Sequence, residues 1–153
     1  MTRLSQLTAL NVIAAGQNSS LLSNSIEKEI TFVATTTGAI DTHDLFTVTG
    51  VVAMNVFAVC STNLAGASST IEIGTAKSTA GLIAQTTGTD LDANEIWHNA
   101  SPSSSIEAIT IIANKVVAQD VAYKIATAAL SAGVIKIYCK WSPISADGNV
   151  ILA

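Results

Sequence analysis

The chain has 153 residues, enough for one domain with a substantial core. Only 12% are charged while 49% are hydrophobic, aromatics make up 5%, and the formal net charge is −4. The seven Lys and Arg residues form no basic cluster, which argues against a nucleic-acid partner, and no apolar run approaches the roughly 18 residues of a spanning helix.

Residues 1–25 differ from the rest. Leu4, Leu7, Leu10 and Ile13 recur at intervals of three, a polar stretch follows at 17–20, and Arg3 is the only charge. This pattern predicts an N-terminal arm or short helix, expected to dock on a partner. Residues 7–15 are weakly signal-like, but Asn11 interrupts them and only Arg3 precedes them, so no secretion leader is expected.

From residue 26 to 153 the chain reads as one β domain. Ile26, Ile30 and Phe32 alternate with Glu27, Glu29 and Thr31, leaving Lys28 as the one charge on the apolar face. A strand begins at Leu45, and Gly50 marks a bend. Residues 51–60 are apolar on both faces, so that strand should be central or covered on both sides. Short strands are expected at 70–73, 82–85 and 95–98, followed by a loop at 101–105 and renewed β character at 106–113. Asn114 and Lys115 suggest a tight turn.

The last third is clearest. Val121, Tyr123, Ile125 and Thr127 share one face, and Ile135, Ile137, Cys139 and Trp141 share another opposite Lys136, Tyr138 and Lys140. Pro143 ends that strand, and 147–149 form a turn before a short tail. Ala-rich stretches at 64–67 and 125–132 could hold helical turns. The sum is an all-β domain, a β-sandwich or jelly roll of about eight strands with an N-terminal arm. A partly closed barrel is the rival. A membrane barrel is disfavoured, because two Trp, two Tyr and three Phe are too few for aromatic girdles.

So little charge leaves a monomer poorly solvated. Partner surfaces are depleted in charge, and oligomerisation is the preferred explanation. Candidate interface residues are Leu4, Leu7, Leu10, Ile13, Trp97 and Tyr138, although Trp97 fits a core position better.

Catalytic signatures are missing. His43 and His98 lie in no nucleophile elbow, and there is no phosphate loop or zinc spacing. Asp41 and His43 could share a strand face and ligate a metal with outside help, but a polar turn before Leu45 explains the cluster better. Asp90, Asp92 and Asn94 alternate like calcium ligands without the glycine and terminal Glu of such a loop. Cys60 and Cys139 read as buried free thiols, with a disulfide as the alternative. The expectation is a non-enzyme with no cofactor and no metal.

Several phrases carry a family likeness. They are residues 51–60, Thr70-Ile71-Glu72-Ile73-Gly74-Thr75-Ala76, Leu82-Ile83-Ala84-Gln85-Thr86-Thr87, Glu95-Ile96-Trp97-His98-Asn99-Ala100-Ser101-Pro102 and Tyr138-Cys139-Lys140-Trp141-Ser142-Pro143. Over roughly residues 45–150 the chain resembles small virion proteins of tailed bacteriophages, in particular capsid decoration (cement) proteins. The resemblance implies a β-rich homotrimer on the capsid exterior, made in the bacterial cytoplasm, that clamps neighbouring major capsid proteins. It carries over no catalytic residue. Two alternatives stand beside it: a head-fibre or tail-associated module that binds host glycan through Trp97, Tyr138 and the 101–105 loop, and a self-assembling filament or shell subunit.

Overall fold

The computed structural model describes residues 24–103, 106 and 112–153. Their regular structure is ten strands and a single 3-10 turn at Gly88–Asp90, with no α-helix among the described residues. The strands are β1 (Asn24–Thr31), β2 (Thr42–Thr49), β3 (Val52–Ala65), β4 (Thr70–Thr75), β5 (Ser78–Thr87), β6 (Ile96–Trp97), β7 (Lys115–Val117), β8 (Val121–Ala126), β9 (Ala132–Pro143) and β10 (Asn149–Leu152).

They form two antiparallel sheets. One has the order β1-β9-β3-β6 with β7 also on β3, and the other has the order β10-β2-β8-β4-β5. The pairing is nested. β1 pairs with β9, β2 with β8, β3 with β6 and β7, and β4 with β5. This is the strand order of a jelly roll, with β10 added at one edge.

Alternation builds the core. Along β3, Val52, Met54, Val56, Ala58 and Cys60 point inward and are buried, and on β9 Ile135, Ile137, Cys139 and Trp141 do the same. The opposite sheet contributes Phe46, Ile71, Ile73, Val121, Tyr123 and Ile125. At the Asp44/Phe46 bulge in β2, Leu45 and Phe46 are both fully buried.

Two lysines bridge the sandwich at its lateral openings. Lys28 Nζ donates across the gap to the Asp44 carbonyl at 2.9 Å and to the Ala153 carbonyl at 3.2 Å. Lys115 Nζ donates to the carbonyls of Gly81 at 2.6 Å and Leu82 at 3.2 Å on β5. The charge that interrupts the apolar face of β1 is thus a half-buried cation whose head bridges to backbone oxygens.

Several expectations are corrected. Thr42–Asp44 is not a turn but the start of β2, because these residues pair with β8. The short tail is an edge strand, β10, held on β2. Lys115 opens β7 rather than closing a turn. Thr127 lies past the end of β8 in the left-handed region (φ 68°) and does not continue its face. The Ala-rich stretches end strands β3 and β8 rather than forming helical turns. The expected arm and most of the 106–113 segment lie outside the described residues.

Candidate interaction surface

The outer face of the β1-β9-β3 sheet is built from the alternate residues of the same strands. Cross-strand register lays them in rows. Ser142, Ala53 and Val116 form one, and Ser25, Lys140 and Asn55 the next. Glu27, Tyr138 and Phe57 follow, and then Glu29, Lys136, Val59 and Ile96. Phe57 and Tyr138 stack, with ring centroids 5.2 Å apart and planes 17° from parallel. Ala53, Phe57, Val59, Ile96 and Tyr138 are half-buried, and Val116 is 70% exposed.

The face is divided by charge. The β1 side carries Glu27 and Glu29, and Lys136 pairs with Glu27 at 2.7 Å while lying 5.8 Å from the Tyr138 ring centre. The Glu27 hydrogen bond pushes the Lys136 pKa up. The β3, β6 and β7 side is aliphatic and aromatic, apart from Asn55. Asn55 donates to Asn114 Oδ1 at 2.9 Å, and its own Oδ1 is buried with no hydrogen-bond partner.

The sequence-predicted interface residues are thereby separated. Tyr138 is on this face. Leu4, Leu7, Leu10 and Ile13 lie outside the described residues. Trp97 does not belong to a surface: it is fully buried, opposite Ala58, and its indole Nε1 donates to Thr86 Oγ1 at 2.7 Å across the sandwich. The small Ala58 side chain leaves room for the indole, so the core position wins. The sequence reading did not single out Phe57, Val59, Ile96 and Val116. Its signal for them was the apolar outer side of residues 51–60, which β3 presents at half exposure rather than under a second layer.

The other candidate sites dissolve into structure. His43 stacks on Tyr123 at 4.7 Å, and its Nε2 lies 3.0 Å from the Ala39 carbonyl. Asp41 Oδ1 accepts from the Thr42 amide at 2.7 Å. No group of three metal-ligating side chains occurs among the described residues. In the 90–95 loop, the Asp92 amide donates to Glu95 Oε2 at 2.9 Å and the Asn94 amide to the Cys60 carbonyl at 2.8 Å, so these polar groups shape a turn. On the outer face of the second sheet, a trough of about 340 Å³ is floored by Gly74 and Ala122 and walled by Asp44, Asp120 and Lys124. Its mixed charges favour no ligand of one sign.

Cys60 and Cys139 are free and buried. Cys139 sits opposite Val56, and Cys60 is four residues further along β3. That offset is roughly 13 Å, about twice the span of a disulfide. Burial pushes the Cys60 thiol up to about 11 and the Cys139 thiol up to about 12 from the ordinary 9.0. Both should resist an aromatic disulfide reagent at pH 8 in the folded protein and react on unfolding. The unfolded thiols ionise first as pH rises, so their contribution is intact below about pH 9 and is lost as pH climbs towards 11 and 12. The slope approaches about 1.4 kcal/mol per pH unit for each group. Urea titrations across this window should show the decline, and constant stability from pH 8 to beyond the thiol range would contradict the burial.

No family model, no curated protein and no solved structure matches the chain.

Proposed function

We propose that this protein is a virion structural component, a capsid decoration protein that acts without catalysis. It assembles as a homotrimer through the outer face of the β1-β9-β3 sheet and clamps neighbouring major capsid proteins on the exterior of a bacteriophage head. The observation that supports this reading best is the stacked Phe57–Tyr138 pair, set among Ala53, Val59, Ile96 and Val116 on an outward sheet face. The face extends over four strands and most of the length of β3, on the order of 700 Å² by strand spacing. A stable interface needs about 800 Å² from each partner. Glu27, Glu29, Lys136 and Lys140 border the Tyr138 side of the pair, and the Phe57 side carries Ala53, Val59, Ile96 and Val116, an apolar centre with a charged rim. Repetition over many capsid sites would turn modest single contacts into firm attachment.

The test has two stages. Light scattering after size exclusion should give a particle of three chains. That particle should then co-sediment with undecorated capsids at saturable stoichiometry. A monodisperse monomer that ignores capsids would overturn the proposal. A glycan-binding role has lost Trp97 from its aromatic set, because that indole is inside the sandwich. Open-ended fibres in the scattering experiment would instead favour the filament reading.

A further inference from the structure

We propose that the trough on the outer face of the second sheet is a binding site for a small zwitterion, an organic molecule with an ammonium and a carboxylate at opposite ends of a short aliphatic chain. The trough lies on the sheet opposite the proposed trimer interface, and the site does not depend on assembly.

The register builds it. Thr42, Lys124 and Glu72 form one outward row across β2, β8 and β4, and Asp44, Ala122 and Gly74 form the next. Gly74 and Ala122 leave a low, apolar floor. The hollow over them, about 340 Å³, is bounded by Asp44 on β2 and Thr79 on β5, with Asp120 and Lys124 flanking Ala122 along the chain. A Cβ at Gly74 would meet the Ser78 carbonyl oxygen at 2.0 Å, so the start of β5 already stands over that position and forms the wall there. The volume falls in the range of small-ligand pockets, roughly 300–1,000 Å³.

The charges around the hollow do not neutralise one another. Among the described residues, neither the Lys124 ammonium nor the Asp44 carboxylate has a hydrogen-bond or ion-pair partner. Lys124 is half-buried and stands directly opposite the buried Glu72, yet that carboxylate accepts from Gln85 Nε2 at 3.2 Å and no ion pair joins it to Lys124. Asp44 is the diagonal neighbour of Lys124, roughly 7–8 Å away along the sheet, within reach of a long side chain, and again no ion pair closes. Asp120 Oδ1 accepts from the Val48 amide at 2.8 Å, and its second oxygen is left to accept from a ligand. In a chain that is only 12% charged, one hollow thus gathers two carboxylates and an ammonium that leave each other unpaired.

This pattern selects the class of ligand. An anion held at Lys124 is opposed by Asp44 and Glu72, and a cation held at Asp44 and Asp120 is opposed by Lys124. A molecule bearing both charges meets each group with its opposite through charge-assisted hydrogen bonds. Its ammonium lies between Asp44 and Asp120, its carboxylate against Lys124, and its methylenes on the floor of Gly74 and Ala122.

The experiment follows the backbone amides of the full chain by nuclear magnetic resonance while 6-aminohexanoate is added. Saturable shifts at Gly74, Ala122 and Thr79 are expected. Hexylamine and hexanoate, each carrying one of the two charges, should bind at least about tenfold more weakly. Lys124→Met should abolish the advantage of 6-aminohexanoate over hexylamine, and Asp44→Asn should shrink its advantage over hexanoate, with the far-ultraviolet circular dichroism unchanged in both. Asp120 is left intact because its carboxylate holds β2 through the Val48 amide. No saturable shift at the trough, equal binding of the three probes, or an undiminished advantage in either folded variant would overturn the site. Should one variant unfold, the other carries the same reading. Zwitterion binding by a monomer that ignores capsids would keep the site and sink the decoration proposal. A capsid-bound trimer that does not bind 6-aminohexanoate would do the reverse.

Discussion

Trp97→Ala is expected to lower the free energy of unfolding by about 3–5 kcal/mol, read as a fall in the urea midpoint at unchanged m. The indole is the largest fully buried side chain, and it fills the space over Ala58 between the sheets. It also makes a polar link. Its Nε1 donates to Thr86 Oγ1, whose hydroxyl lies 3.1 Å from the carbonyls of Ala84 and Asn99. Trp97→Phe keeps part of the packing but removes the N–H together with the second ring, so it should cost less than the alanine variant, about 1–3 kcal/mol. The Thr86 hydroxyl can still donate to a carbonyl. A loss below 1 kcal/mol for the alanine variant would mean that the indole is not a core residue. The comparison must be made at fixed protein concentration, since association shifts apparent stability.

Gly38→Ala should lower stability by about 1–3 kcal/mol, the usual cost of forcing extra volume into a packed site. A Cβ at this position would stand 1.9 Å from the Leu130 carbonyl oxygen, which is backbone and cannot swing aside. Leu130 is itself fully buried, and its amide donates to the Gly38 carbonyl at 2.9 Å. The substitution must therefore push apart the 33–41 loop and the segment leading into β9. Amide exchange at Leu130 should accelerate in parallel with the loss of stability. Gly81→Ala is the matched control, because its nearest obstruction is the Ser78 hydroxyl, a side chain that can rotate. Equal losses at the two positions would contradict this account.

Legibility followed the range of the interaction. The inward faces of β8 and β9 could be read directly, because period-two alternation is local and Val121, Tyr123, Ile125, Ile135, Ile137, Cys139 and Trp141 are indeed buried. The all-β sandwich followed from summing such segments. Pairing order could not be read, because nothing local says that β1 lies on β9 or that Phe57 stands opposite Tyr138. The short strand expected at 95–98 is present as β6, whereas β7 and β10, three and four residues long, exist through their partners rather than through their own pattern. Lys28 looked like an error in an apolar face until the fold brought the Asp44 carbonyl within its reach. The outer sheet face was half legible: residues 51–60 announced two apolar faces, but the register alone decided which side chains would stand together on the outer one.

The nesting of the strands also sets a timetable. β3 lies at the centre of its sheet, yet it is joined there by β9, whose residues are made about 80 positions later. Until the ribosome has delivered β9, Val52, Met54 and Val56 have no neighbour on that side. The β4-β5 hairpin can form early from adjacent residues, but the sheet that carries Phe57 must wait for Tyr138. Such distant closures belong to the slow end of folding, milliseconds to seconds. The outer face on which Phe57 stacks against Tyr138 is thus completed only once β9 has been made, so a nascent chain cannot display it before this sheet has closed.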